Sequence, residues 1–269
     1  MKKKKENKNT VTIIVLTALF FLASIILAVN YEKSLLKKRP LEKPAVRPAA
    51  VKGRIAIVID DWGYSLNNLK LAAQIKEPLT CAVLPGLKNS SLVMRKLHSF
   101  GFEIILHLPM EPKAALKLEK NTITCGMDDA RIRRIMDEDL SSISLAKGIS
   151  NHMGSRVTED LRTSQIIITE AKKRGLYFLD SFVTDKSVCP EIARRINVKF
   201  ARRDIFLDNR NEPGYIKEQL LKLRDLAAKH GVAVGIGHDR RNTLLVLKEL
   251  LPQLDKEGYK IVFLSEVTQ

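Results

Sequence analysis

Hydrophobic and polar positions fall into three regimes along the chain. Val11 to Val29 (VTIIVLTALFFLASIILAV) is an uncharged apolar run, and about twenty such residues suffice for a helix to span a bilayer. From Tyr31 to about Lys52 no periodicity is sustained, and Pro40, Pro44 and Pro48 stand among lysines, arginines and alanines. That composition predicts an extended linker. From Arg54 onward, short aliphatic runs alternate with amphipathic stretches of helical period. The pattern predicts strands near residues 55–59, 79–83, 103–106, 149–152, 176–179, 199–201, 232–236 and 260–263. It predicts helices over residues 66–75, 91–100, 128–146, 160–174, 189–196, 215–229 and 242–257. Repeated strand–helix units with right-handed crossovers wind into an open parallel sheet or a closed barrel.

The ends of the predicted strands decide between these. RIAIVIDDWG is a continuous aliphatic strand, buried on both faces by its composition, that ends in Asp60 and Asp61. FEIILHLPMEP brings His107 to a strand end, GISNHMGS brings His152, LYFLDS brings Asp180, and VAVGIGHD brings His238. Polar, ionisable residues at so many strand ends favour a barrel, since an open sheet gathers its site at one switch point. The expected fold is α/β: a distorted or incomplete (β/α) barrel of seven to eight parallel strands, preceded by one transmembrane helix. The expected organisation is a basic tail (1–10), a membrane anchor (11–29), a linker (30–53) and the barrel (54–269). No internal repeat is evident.

Composition narrows the picture only slightly. At 269 residues and 45% hydrophobic content the chain can build one large α/β core. The net charge of +16 invites a nucleic-acid reading. No recognition motif accompanies it and the basic residues are dispersed, so nucleic acid is not an expected partner. The excess outside the first fifty residues suits anionic envelope polymers or lipid headgroups. Lysines before the apolar run favour a cytoplasmic N-terminus, with the barrel on the periplasmic side of a bacterial inner membrane or outside the cell. The alternative is secretion after signal cleavage, against which stand the length of the run and the lack of an A-x-A site. Cys81, Cys125 and Cys189 form neither a zinc knuckle nor a disulfide framework.

Two adjacent carboxylates cannot both ionise cheaply without a cation nearby. One can ligate a metal while the other serves as base toward water; the alternative is that both merely cap the helix that follows. Asp61, His107 and His152 together supply one carboxylate and two imidazoles, a common set for a catalytic divalent ion, with zinc the favoured metal. In HLPMEP, Pro109 and Pro112 are expected to hold a loop that aims His107. His238 is assigned to acid catalysis. Trp62 is a candidate sugar platform or a core residue, and Asn151, Arg156, Asp180 and Ser181 are candidate supporting or substrate-binding groups. His98 and His230 read as surface residues.

Taken together, RIAIVIDDWG, HLPMEP, NHMGSRVT, DSFVT and GIGHDRRNTLLVLKELLPQLDKEGYKIVFLSEV resemble the divergent polysaccharide deacetylase family, a branch of the carbohydrate esterase four (NodB-like) superfamily. The resemblance covers nearly all of residues 54–267. It implies a distorted (β/α) barrel and metal-dependent hydrolysis of N- or O-acetyl groups on a carbohydrate polymer or oligosaccharide. Asp60 then resembles the catalytic base, Asp61 the metal-binding aspartate and His238 the general acid. The family's second motif is two histidines at four-residue spacing, whereas here His107 is followed by Glu111. Either Glu111 takes the second place or His152 supplies the nitrogen from the next strand end. His152 is preferred, because Met110 and Pro112 are expected to turn Glu111 outward. Two other functions remain open at this point: an inactive barrel that binds glycan or a protein partner, and a metal hydrolase with a non-sugar substrate.

Overall fold

The computed structural model describes residues 3–38 and 51–269, in two units divided after Pro48. The first is a single helix, α1 (Lys3–Lys38), of which Asn9–Leu35 is long and apolar enough to cross a membrane. Its apolar side chains are exposed all round, as suits a helix solvated by lipid or a signal sequence. The helix continues beyond Val29, because residues 30–38 of the expected linker hold no glycine or proline to stop it. The rest of the expected linker, residues 39–50, lies outside the described residues.

The second unit contains nine strands: β1 (Gly53–Trp62), β2 (Thr80–Val83), β3 (Glu103–Met110), β4 (Gly148–Met153), β5 (Tyr177–Asp180), β6 (Phe200–Arg202), β7 (Ile205–Phe206), β8 (Val232–His238) and β9 (Tyr259–Val262). All pair in parallel, in the order β6-β5-β4-β3-β2-β1-β8-β7, and β9 lies against the first half of β1. β6 and β7 end the row without pairing with each other, which leaves a half-barrel of the incomplete kind expected. The helices are α2 (Leu69–Ala72), α3 (Ser90–Ser99), α4 (Asp129–Ser142), α5 (Leu161–Lys173), α6 (Cys189–Ile196), α7 (Pro213–His230) and α8 (Arg241–Lys256).

Strand parity divides the core in two. Ile55, Ile57 and Ile59 of β1 pack with the helices, whereas Ala56 and Val58 face the barrel interior with Ile105, Leu179, Val234 and Ile236. Leu264 and Val267, beyond β9, join that interior cluster. Every site strand therefore presents alternate residues inward, and polar residues on that parity near the strand ends must meet one another.

The local departures from the sequence reading have identifiable causes. Strand β7 is two residues long, too short for periodicity to register. Helix α4 stops at Ser142 rather than continuing to Ala146; Ser141 and Ser142 donate back to the carbonyls of Asp137 and Asp139, competing with the helix ladder. Pro109 and Met110 belong to β3, paired with His152 and Met153, and not to a loop.

Asp139 of α4 is buried with one carboxylate oxygen lacking a partner among the described residues. Burial pushes its pKa up to about 7, with Asn121 opposing and Glu138 adding. A raised folded-state pKa gives stability that is present below the unfolded value and lost as pH climbs to the folded one. Asp139→Asn is therefore expected to raise the melting temperature at pH 8, with the gain shrinking toward pH 4; an equal gain at both pH values would contradict the ionisation account.

Candidate metal centre

The site begins with an irregularity in β1. By parity Asp60 continues the inward series after Ala56 and Val58, and it pairs in register with His238. Asp61 would then point away to the helices. Instead the register against β2 shifts between Ile59 and Trp62, and Asp61 adopts φ +66°. Such a bulge re-aims one side chain at a small backbone cost that aspartate tolerates better than most residues. Both carboxylates thereby reach His107: its Nε2 lies 3.3 Å from Asp61 Oδ1 and 3.7 Å from Asp60 Oδ2.

His107 is inward on β3 and buried, and its Nδ1 lies 2.8 Å from Ser150 Oγ on β4. Two residues on, His152 points Nδ1 at Asp61 Oδ1 at 3.0 Å, and the two imidazoles cross edge to face at 4.9 Å. The backbone turns sharply after His152: Met153 has φ +55° and Gly154 φ +86°. A Cβ on Gly154 would lie 2.8 Å from the Cβ of Met110, so only glycine lets this turn close against β3.

The ligating atoms of Asp61, His107 and His152 all lie within 4.8 Å of one another. His107 Nε2 faces two carboxylates, an arrangement that a cation or a proton must hold together. The donor separations of 3.0 and 3.3 Å match the edge of a tetrahedron with bonds of about 2.0–2.1 Å, roughly 3.3 Å. The donor set thus fits a divalent ion. Asp60 Oδ1 and His152 Nε2 are buried with no partner among the described residues, leaving polar atoms for water or substrate.

The electrostatics separate the two aspartates. Burial would raise the Asp61 carboxyl, but hydrogen bonds with His107 and His152 overcome it and hold the group well below the ordinary carboxylate range. Burial pushes Asp60 upward, opposed by His107 and reinforced by the Asp61 charge.

On the other side of Asp60 stands a second pair. His238 closes β8, and its Nδ1 is 2.7 Å from Asp208 Oδ1. Asp208 is fully buried, and its second oxygen accepts from the His238 backbone N–H and from Thr243 Oγ1. Burial by itself would lower the His238 pKa; the bond to Asp208 outweighs it, so the imidazole is more basic than usual. The ring stacks on Phe206 at 5.9 Å, and the Arg203 guanidinium lies over the Phe206 ring at 3.7 Å.

A model of the divergent polysaccharide deacetylases matches residues 57–268, the strands and loops that build this centre. The chain belongs to the divergent polysaccharide deacetylase family. YibQ of Escherichia coli K12 is 33% identical over 210 residues, 78% of this chain and 66% of YibQ, so the chain spans about two thirds of that relative's length. Among solved structures, ATU2773 of Agrobacterium tumefaciens C58 superposes with a TM-score of 0.76 at 22% identity, over 82% of this chain and 91% of that one. The Bc1960 peptidoglycan N-acetylglucosamine deacetylase, in complex with an N-hydroxybenzamide, gives a TM-score of 0.51 at 12% identity, over 81% of this chain and 89% of that one. These likenesses are of fold.

Within this divergent deacetylase barrel the remaining candidate residues stand apart from the ligand cluster. Glu111 turns away: its carboxylate accepts from the Cys125 N–H and pairs with Arg156, so both charges staple the loops beyond β3 and β4. Asn151 accepts from the Ser181 N–H and donates to the Met153 carbonyl, and Ser181 Oγ donates to the Asn151 carbonyl. Asp180 has the helix-facing parity of Phe178, and its oxygens accept from the Phe182 N–H and Ser187 Oγ. These five hold loops in place. Trp62 is 1% exposed, packed on the helix side, and cannot stack on a sugar. His98 and His230 are exposed, away from the cluster.

Sequence reasoning passed over Ser150, Asp208, Phe206 and Arg203. The available signal for Asp208 was RDIFLDN, a short aliphatic run ending in aspartate like the other strand ends. Its two-residue strand concealed it.

Proposed function

We propose that this chain is a metal-dependent hydrolase that removes acetyl groups from an envelope carbohydrate, anchored by its N-terminal helix in the inner membrane with the barrel on the periplasmic side. The observation that carries the reading is the convergence of Asp61, His107 and His152 beside Asp60, whose register partner on β8 is His238 of the His238–Asp208 pair. Membership in the divergent polysaccharide deacetylase family supports the acetylated sugar as substrate class. A purely sugar-binding barrel has no use for a base and an acid set beside an ion site.

Asp61, His107 and His152 would hold the ion. A divalent ion, with zinc suited to this donor set, supplies Lewis acidity that polarises an acyl carbonyl and acidifies water. Asp60, unpartnered at Oδ1, takes the proton of the attacking water. His238, made more basic and oriented by Asp208, gives a proton to the departing amine or alkoxide. No serine or cysteine nucleophile is required.

The test is metal content and acetate release measured on the detergent-solubilised chain with acetylated chitooligosaccharide, peptidoglycan and acetylated xylan. Asp60→Asn is expected to retain the ion and to lose turnover by about 100-fold or more, the usual range for a general base. Loss of the ion in Asp60→Asn equal to that in Asp61→Ala would overturn the division of roles, and bound metal without acetate release from any acetylated sugar would overturn the substrate class.

A further inference from the structure

We propose that the barrel docks on anionic lipid headgroups through the rim opposite the metal centre, so that the catalytic rim faces away from the bilayer. The inference takes residues 9–35 as a membrane span and stands apart from the hydrolase reading.

In a parallel barrel every strand begins at the same rim. The first strand, β1, also begins at this rim, at Gly53. The segments that lead into the strands carry Lys52, Lys76, Lys147 and Lys199, all exposed, with Lys229 and Lys260 beside them. The lysine ion pairs among the described residues engage Lys113, Lys173 and Lys222 instead, so none of these six is neutralised by a carboxylate there. Against them stand Glu77, Glu103, Asp204, Asp255, Glu257 and Glu266; Glu257 already faces Arg224, Glu103 is taken up by Thr80, Tyr177 and the Ser265 N–H, and Asp204 by the Val234 N–H.

Part of the positive charge at this rim has a local explanation. The last turns of α3, α5, α6, α7 and α8 carry cations, which helix dipoles favour. Lys52, Lys147 and Lys199 lie outside any helix and stabilise no helix end. Lys147 and Lys199 flank one opening of about 250 Å³ beside Tyr177 and Ser265, where the Glu103 carboxylate is already bonded to the Tyr177 hydroxyl and the Ser265 N–H. A second cavity, of about 600 Å³, sets Arg194 and His230 over walls of Val232, Val234 and Val267. Cation-flanked hollows with apolar walls suit phosphate headgroups and the first carbons beneath them. Most of the large exposed apolar side chains of the barrel, by contrast, lie on strand-end loops and helix starts at the catalytic rim, among them Tyr64, Leu66, Leu116, Leu118, Leu161 and Val183, while Val51 is exposed beside Lys52 at the basic rim. The two rims therefore differ in kind, one charged for a headgroup layer and one amphipathic for another partner.

Each lysine or arginine near an anionic leaflet favours association by about fivefold, and salt removes the effect within a Debye length. The full chain, reconstituted in phosphatidylcholine vesicles with or without about one quarter phosphatidylglycerol, is acetylated with a membrane-impermeant amine reagent and mapped by peptide mass spectrometry. Lys147 and Lys199 are expected to react several-fold more slowly when phosphatidylglycerol is present, and at the same rate again in high salt. Lys88 and Lys117, on the catalytic rim, are expected to react equally in both vesicles. In the Lys147→Glu/Lys199→Glu variant the protection of Lys52 and Lys76 is expected to fall, with an unchanged near-ultraviolet circular dichroism spectrum showing that the barrel is intact. Equal labelling of the basic rim in both vesicle types overturns the proposal. Protection that arises only on adding soluble polyglutamate, and not with phosphatidylglycerol, assigns the face to an anionic polymer and overturns it as well.

Discussion

Asp61→Ala is expected to strip the divalent ion from the purified chain and to abolish hydrolysis of acetylated sugars. Asp61 Oδ1 is the shared contact of both histidines, 3.3 Å from His107 Nε2 and 3.0 Å from His152 Nδ1. Removing it leaves two imidazoles and no anionic donor, a set that binds a doubly charged ion far less well. His107→Ala should do the same from the other side. Ser150→Ala is the graded member of the series, because Ser150 only orients His107 through Nδ1. Loss of such an outer partner lowers metal affinity by about 10- to 100-fold, so the Asp61 and His107 variants should exceed that range. Metal content by mass spectrometry and acetate release, measured on the same preparations, decide the matter. Metal retained by Asp61→Ala at wild-type occupancy would sink the ligand assignment.

Asp208→Asn is expected to have the second largest effect, and one with a pH signature. In the proposed mechanism the protonated His238 is the acid, and Asp208 raises its pKa by a hydrogen bond and by charge, against the opposing effect of burial. Asp60 and Asp61 add negative charge nearby, while the Phe206 ring covers one face. Wild-type activity is therefore held below the raised pKa and declines as pH passes above it. Asparagine removes the charge and lowers that pKa, moving the alkaline limb of the rate profile to lower pH. Turnover should fall by about 100-fold or more at pH 8, and by less at pH 6. Asp208 also binds Thr243 and the His238 N–H, so a purely structural injury is the competing account. That account predicts equal losses at the two pH values and no movement of the limb.

Much of the site was legible in the sequence because strand parity is a local property. His107 shares a parity with Ile105, and His238 with Val234 and Ile236. Once these runs are recognised as barrel strands, such residues must face one interior. The choice of His152 over Glu111 also followed local reasoning, and in the structure Glu111 is occupied with Arg156 and the Cys125 N–H. Residues whose neighbours come from distant segments were not legible. Asp180 and Trp62 occupy the same kind of strand end as Asp60, yet lie on the helix-facing side. Asp208 lies 30 residues from His238, beside a strand of two residues that no periodic pattern reveals.

The sequence by itself determined the architecture and the inventory: aliphatic runs of strand length, separated by amphipathic helices, must form a parallel, helix-covered sheet, since only that arrangement buries both faces of every strand. Tertiary structure decided which polar strand ends meet. One shift of register in β1 turns Asp61 inward beside Asp60, and parallel pairing of β3 with β4 sets His107 against Ser150 and, two residues on, His152. The physical reason is that side-chain direction alternates with a period of two, so a single inserted residue reverses the face, and such an insertion leaves no mark on the hydrophobic pattern.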